Sequence, residues 1–320
     1  MADEVKVSVV MLTYQHAPYV SRAIDSVLEQ TTAFPYELII GDDASRDGTQ
    51  EIVCAYRDRH PDRIRLILHD RNQGIEKNLQ AILSRCRGEL LAILEGDDFW
   101  THPGKLRNQV LVFDASPDVA LCGHRSVTVR DGEVVEGSEW PRHSRARMSV
   151  ADAFSGTLFH TCTMMFRGKA VAALPPAIWS IFPLDRALQI SLSQGGEVAF
   201  LAEVMAAYRI HSGGVWSGLS KAEKHETNLE FFRRILPLTS PRYRRLARQE
   251  VYRRWRALVL EDLREGRSST ALRRYWRLLC SPALWIRDPL PLFRPGLLAR
   301  LLRVEPHLRA LTRNRRAPGR

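Results

Sequence analysis

Hydrophobic positions in the first third of the chain switch between two spacings. Residues 7–12 form a nearly unbroken apolar run rich in valine, the pattern of a strand buried on both faces. Pro18 stands at a helix start, and Val20, Ala23, Ile24, Val27 and Leu28 then fall on one helical face. The alternation continues with a strand over 37–40 and a helix over 49–59 that turns Ile52, Val53 and Tyr56 inward. Next come a strand over 64–68, a helix around Leu79, Ile82 and Leu83, and a strand over 90–94. Strands and helices in alternation predict a mostly parallel sheet with right-handed crossovers, an α/β fold flanked by helices.

The pattern changes after about residue 119. Residues 127–130, then Asp131-Gly132, then 133–135 predict a β-hairpin with a tight turn, expected to add antiparallel edge strands. Helices are expected near 149–154 and 185–194, with a strand near 198–201. Farther on, Val251, Trp255, Leu258, Val259 and Leu263 share one helical face. Leu272, Tyr275, Trp276 and Leu279 share another, with Ser268 and Ser269 as caps. Pro282, Pro289, Pro291 and Pro295 interrupt any helix beyond residue 281, and 313–320 is expected to be disordered.

Charge sharpens this division. Residues 1–232 hold 24 basic and 30 acidic side chains, a net of −6, whereas 233–320 hold 23 and 6, a net of +17. We therefore expect a catalytic α/β domain over 1–232 and a basic C-terminal α-helical extension over 233–320. A basic extension with Trp255, Trp276 and Trp285 among its arginines suits either an anionic surface, such as the inner face of a membrane, or packing on the acidic catalytic domain as a lid or dimer contact. It carries no recognised nucleic-acid module, so no nucleic acid partner is expected. Apolar runs fall well short of the roughly 20 residues that span a bilayer, and the N-terminus lacks the apolar stretch of a leader. The five cysteines are scattered and form no CxxC pair, which favours a reducing, cytoplasmic compartment over a zinc site.

Two acidic clusters carry candidate chemistry. Asp42-Asp43 ends the second predicted strand, and in open parallel sheets ligands sit beyond the carboxyl ends of strands. A carboxylate there can accept hydrogen bonds from a base or ribose; the competing reading is a polar turn in which Asp47 or Thr49 caps the next helix. Glu95-Gly96-Asp97-Asp98 stands directly after the strand over 90–94. Adjacent carboxylates repel, and a hard divalent cation resolves the conflict while bridging to phosphate oxygens. Both clusters should open on one edge of the sheet.

In combination these segments resemble family-two glycosyltransferases of GT-A, Rossmann-like fold. The resemblance rests on residues 7–14, 37–49, Asn72-Gln73-Gly74 with Asn78, and 94–100, and it covers about residues 5–220. It implies an inverting transfer from a nucleotide-diphosphate sugar, UDP- or dTDP-linked, to a hydroxyl acceptor. That acceptor would belong to cell-surface polysaccharide or glycolipid synthesis and could be lipid-linked. Thr13, Tyr14, Asp42, Asp43, Asn72 and Asn78 would contact the donor. Asp97 and Asp98 would form the metal and diphosphate (DXD-type) motif for Mg²⁺ or Mn²⁺, with Asp98 the direct ligand. Asp185, at a helix start, would be the general base, although Leu184 stands where the family usually has Gly or an acidic residue; taken alone, Asp185 would pass for a carboxylate at a helix dipole. In 208–216, Arg209 would offset leaving-group charge or make a structural pair, and His211 would complete the metal shell. Gly213-Gly214 and Trp216 suggest a loop that orders over the donor.

Two further stretches are assigned structural roles. Gln249 with Arg254-Trp255 resembles a motif of processive synthases at the wrong spacing, and Trp255 is needed for its helix face. The basic stretch 142–147 could line an acceptor site for an anionic group, but reads first as a solvated loop. Rival functions are a nucleotidyltransferase on a similar sheet and a non-catalytic metal- or nucleotide-binding module. The first normally needs a Gly-rich, basic loop after the first strand, where this chain has Tyr14-Gln15-His16-Ala17-Pro18; the second leaves Asp185 and His211 unexplained.

Overall fold

The computed structural model describes residues 4–213 and 218–279, with the side chains of 221, 222 and 277–279 excepted. The expectations for Gly214, Trp216, Trp285, the four prolines from 282 on and 313–320 lie outside these residues. The chain divides into two compact units, Met1–Gly218 and Leu219–Arg320. The boundary expected at 232 falls inside a helix, because a capping box at Ser220 and Glu223 starts that helix earlier.

The first unit runs β1 (Val7–Thr13), α1 (Val20–Leu28), β2 (Tyr36–Asp42), α2 (Thr49–Arg59), β3 (Ile64–Leu68), α3 (Ile75–Leu83) and β4 (Leu90–Glu95). It continues with β5 (Phe99–Trp100), α4 (Lys105–Ala115), β6 (Val119–Arg130), β7 (Glu133–Val134), β8 (Arg147–Met148) and α5 (Val150–Ser155). Strand β9 (Met165–Arg167), α6 (Gly168–Ala172), α7 (Leu184–Ser193) and β10 (Glu197–Ile210) complete it. One sheet orders these strands β3-β2-β1-β4-β9-β6-β10-β5, with β7 on β6 and β8 on β10. The pairs among β1–β4 and β6–β10 are parallel; short β9 runs antiparallel between β4 and β6.

Strands β1 and β2 are buried along their whole length and pack with α1 around Val9, Met11, Ile24, Val27, Leu38 and Ile40. Their registers set the working edge: Thr13 stands opposite Asp42, and Leu12 opposite both Gly41 and Glu95. Both acidic clusters therefore emerge at the carboxyl ends of the two strands that flank β1. Positive φ at Asp131 and Gly132 makes the expected hairpin turn. The hairpin does not add an edge, however. Strand β6 is internal, pairing in parallel with β10 along most of its length and antiparallel with short β9 on its other side, and the hairpin adds to it only two-residue β7.

The second unit is helical: α8 (Lys221–Ile235), α9 (Arg244–Arg264) and α10 (Ser268–Leu279), with α9 packed against both neighbours. Val251, Trp255, Leu258 and Val259 are buried as their spacing requires. Trp276 is 58% exposed instead of joining Tyr275 inside. Two buried acids take up part of the basic charge, Glu250 pairing with Arg253 and Arg254, and Asp262 with Arg267 and Arg274. Among the described residues no helix is long and apolar enough to cross a membrane.

Candidate active site

At the end of β2 the structure turns much of the polar chemistry inward. Asp42 is fully buried; its carboxylate accepts from Ser45 N–H and Oγ (2.9 and 2.6 Å), Thr13 Oγ1 (3.0 Å) and Gln50 Nε2 (2.8 Å). Thr13 and Asp42 therefore shape the strand end and have little left for a ligand. Asp43 accepts from the backbone N–H groups of Gln73 (2.6 Å) and Gly74 (2.9 Å), so it moors the loop carrying Asn72. Asn72 is exposed, and its Oδ1 accepts from Gly74 N–H. Asn78 is buried and donates to Gly41 O at 2.8 Å. Gly41 is required here, since a Cβ would come within 2.2 Å of Asn78 Oδ1. Of the expected donor contacts in this region, Tyr14 alone presents a large exposed side chain.

The loop after β1 is fixed by the loop after β2. Gln15, His16 and Ala17 give their backbone N–H groups to Ser45 Oγ, Thr49 Oγ1 and Asp47 Oδ2. With those donors consumed, this turn cannot cradle a triphosphate as a nucleotidyltransferase loop would.

The second cluster separates two adjacent aspartates. Asp98 is 2% exposed, and its Oδ1 accepts Arg209 N–H at 2.7 Å, latching β10 to the turn after β4. Burial, then Asp97 and Glu95, raise its carboxyl well above the ordinary range. Asp97 points the other way, with a side chain 20% exposed and Oδ2 2.9 Å from His211 Nε2 and 3.8 Å from His16 Nε2. Burial alone would raise Asp97, but the His211 hydrogen bond and the charge of His16 bring it below its usual value. The structure brings His211 to Asp97, while Asp98, the expected direct ligand, commits its Oδ1 to Arg209 N–H. Gly96 permits the arrangement, because a Cβ there would lie 2.6 Å from Thr13 Cγ2 and 2.9 Å from His16 Nδ1.

Arg209 donates to Asp97 O, with its guanidinium 4.7 Å from the Tyr19 ring and 5.1 Å from the Phe99 ring. It braces the motif from behind, and the Tyr19 ring also meets His211 at 4.9 Å.

Asp185 lies in the first turn of α7, behind Pro183. Leu184 is buried, which accounts for an apolar residue at that point. Burial raises the Asp185 carboxyl, opposed by the backbone N–H and charge of Arg186 and by Thr161. Glu95 is pushed up to about 8 by burial, by Asp97 and by Asp185, and its Oε2 is buried with no hydrogen-bond partner among the described residues. Thr161 acts on both carboxyls and so stands beside both.

These residues fit a divalent cation as far as their donors go. Among the described residues no three His, Cys, Asp or Glu side chains form a ready-made metal cage. Asp97 and His211 offer one oxygen and one nitrogen beside an excess of crowded carboxylates. That suits an ion completing its shell with diphosphate oxygens and water. The sequence names Glu95 in the acidic cluster without giving it a role, and assigns no role to His16, Tyr19, Thr161 and Tyr208.

The sequence pattern of glycosyl transferase family 2 matches residues 8–174. An uncharacterised Mycobacterium tuberculosis protein (strain H37Rv) is 38% identical over 211 residues, 65% of this chain and 60% of the relative, so the chain spans about 60% of that relative's length. A Bacillus subtilis protein named for a teichuronic acid biosynthesis glycosyltransferase, TuaG, is 28% identical over 68% of this chain and 84% of its own. Two solved structures share the fold. S. aureus TarS 1–349 in complex with UDP-GlcNAc has a TM-score of 0.60 and 17% identity, over 77% of this chain and 70% of that one. Mannosyltransferase PcManGT from Pyrobaculum calidifontis in complex with GDP-Man and Mn²⁺ has a TM-score of 0.61 and 20% identity, over 94% and 86%.

Proposed function

The chain belongs to glycosyl transferase family 2 and has its GT-A fold, and from that premise we propose that it is an inverting, metal-dependent transferase. It moves a sugar from a nucleoside diphosphate donor to a hydroxyl acceptor in cell-surface polysaccharide or glycolipid synthesis. The observation that carries this reading is one row of groups. Beyond the cation-ready pair Asp97–His211 come Glu95 and then Asp185, a carboxyl whose raised pKa suits a general base. UDP-GlcNAc in TarS, and GDP-Man with Mn²⁺ in PcManGT, support the donor class and a cation without choosing the base.

Asp185 takes the proton of the acceptor hydroxyl as its oxygen bonds to the anomeric carbon. The bond from that carbon to the diphosphate oxygen breaks on the opposite face, and its electron pair leaves with the nucleotide. Asp97 and His211 would hold Mg²⁺ or Mn²⁺, which when bound would supply Lewis-acid stabilisation of the diphosphate. Tyr14 lines the nucleotide end, and Asp43 acts there through the loop it moors. Peripheral contact with an anionic membrane through the basic second unit completes the reading, supported by its charge and by exposed Trp276.

Thermal-shift titration against UDP, dTDP, GDP, ADP and CDP, each with and without Mn²⁺ or Mg²⁺, tests the donor reading. A ligand at 100 times its Kd adds about 2.7 kcal/mol of stability. One diphosphate should stabilise the protein in a cation-dependent way. If none does at millimolar concentration, the reading fails.

A further inference from the structure

We propose that Trp140 and His160 form the subsite for the acceptor's terminal sugar ring, Trp140 stacking on its face and His160 Nε2 hydrogen-bonding one of its hydroxyls. This rests on the transferase reading above and extends it to the acceptor side of Asp185.

Both residues are held by Ser126. The Trp140 backbone is pinned on each side, its N–H to Ser126 O at 2.8 Å and its carbonyl to Ser126 N–H at 2.9 Å. Residues opposed in such an antiparallel bridge project from the same face of the sheet. That face is where Ser126 Oγ meets His160 Nδ1 at 2.8 Å. Trp140 is 41% exposed, and its indole makes no ring contact or hydrogen bond among the described residues. A fixed backbone under an open indole is a prepared platform. The electron-rich face of an aromatic ring suits the C–H face of a pyranose, whose hydroxyls project at the rim.

His160 is oriented twice over. Its ring stacks on Tyr208 at 4.3 Å with an interplanar angle of 18°, and Nδ1 is committed to Ser126. Nε2 has no partner among the described residues and is not sealed from solvent. Burial holds the imidazole neutral, pulled down to about 4, so Nε2 meets a hydroxyl without carrying a charge.

The subsite adjoins the base. His160 is followed by Thr161, which reaches Glu95 and Asp185, and Tyr208 senses the charges of Asp98, Glu95 and Asp97 on its other side. Thr161 and the Tyr208 ring thus set His160, with Ser126 and Trp140, beside Glu95 and its neighbouring carboxyls. An acceptor whose hydroxyl reaches Asp185 must rest its ring close by, and Thr161, next to His160 in the chain, acts on that carboxyl. The nearby arginines do not compete for a neutral ring. Arg125 donates to Pro141 O and His143 O, Arg142 to Gly137 O, and Arg145 pairs with Asp152.

Saturation-transfer NMR of the full chain with a panel of p-nitrophenyl pyranosides reads the subsite without any donor. Wild type should transfer saturation to the sugar protons of at least one glycoside. Trp140→Ala should reduce that signal at least tenfold, Trp140→Phe should retain part of it, and His160→Gln should weaken it while leaving the ring contact. No signal from wild type across the panel, or undiminished signal in Trp140→Ala, overturns the proposal. Cation-dependent nucleotide diphosphate affinity is measured in the same variants. A parallel loss there assigns the effect to the fold and also overturns the proposal. Failure of wild type to bind any nucleotide counts against the donor reading alone.

Discussion

Asp97 and Asp98 are neighbours in sequence with opposite duties, and three substitutions separate them. Asp98→Ala removes the acceptor of a buried N–H, that of Arg209, and leaves the donor without a partner. An orphaned buried group costs about 1–3 kcal/mol. For a unit of this size each kcal/mol moves Tm by about 2–4 °C, so a fall of roughly 2–12 °C is expected. Asp98→Asn keeps an oxygen facing Arg209 and should stay near wild type. Asp97→Asn weakens the His211 contact but relieves Glu95 and Asp98, both of which Asp97 pushes up. Its stability should change little, while cation-dependent nucleotide binding should weaken by more than the roughly 10–100-fold that loss of an outer-shell partner costs. Differential scanning fluorimetry with and without nucleotide and Mn²⁺ measures both effects on one sample. An Asp98→Asn protein that is stable yet has lost cation-dependent binding, beside an Asp97→Asn protein that binds normally, would refute the division of labour.

The same contacts lead to other outcomes. Asp185→Asn should lower turnover by about 10²–10⁴-fold with donor affinity retained, in steady-state assays. In wild type the rate should fall as pH drops through a value above the ordinary 3.8, since the base acts only when ionised. His124 and His160 are lowered by burial to about 3 and about 4 from 6.5. Their contribution to stability is present above pH 6.5 and is lost as pH falls through the folded values. Urea midpoints should therefore decline from pH 6.5 toward 4, at up to about 1.4 kcal/mol per histidine for each tenfold in proton affinity, and a flat profile would contradict the burial. Asp43→Ala frees the N–H groups of Gln73 and Gly74 and should speed amide exchange there while raising the donor KM, and protection equal to wild type would show that the loop is held otherwise. Flotation with anionic liposomes should be salt-sensitive; no binding at low salt would remove the membrane from the reading.

The βα alternation was legible because β1, β2 and β4 are buried on both faces and read as apolar runs. Strand β10 showed itself only over 198–201, because Glu203, Arg209 and other polar or small residues dilute its later half, which crosses the site. Helix α4 went unseen because its apolar stripe is interrupted by Lys105 and Gln109, which are nevertheless buried. Three-residue β9 is too short to carry a period at all. In the site, residue type and order located the carboxylates, but no sequence pattern distinguishes Asp97 from Asp98. Strand β10 makes that choice by offering Arg209 N–H to one and His211 to the other.

The partners in that latch are distant along the chain: 111 residues separate Asp98 from Arg209, and 114 separate Asp97 from His211. Closing so long a loop carries an entropy cost that only the final strand pairing repays. During synthesis from the N-terminus, β1 to β4 can stack while the Asp97–His211 pair is still missing, and it exists only once β10 has zipped along β6. A nascent chain therefore lacks the Asp97–His211 pair until its last strand is in place. Any ligand that recognises only the completed arrangement would act as a ratchet on the last step of maturation and not as a template for the first.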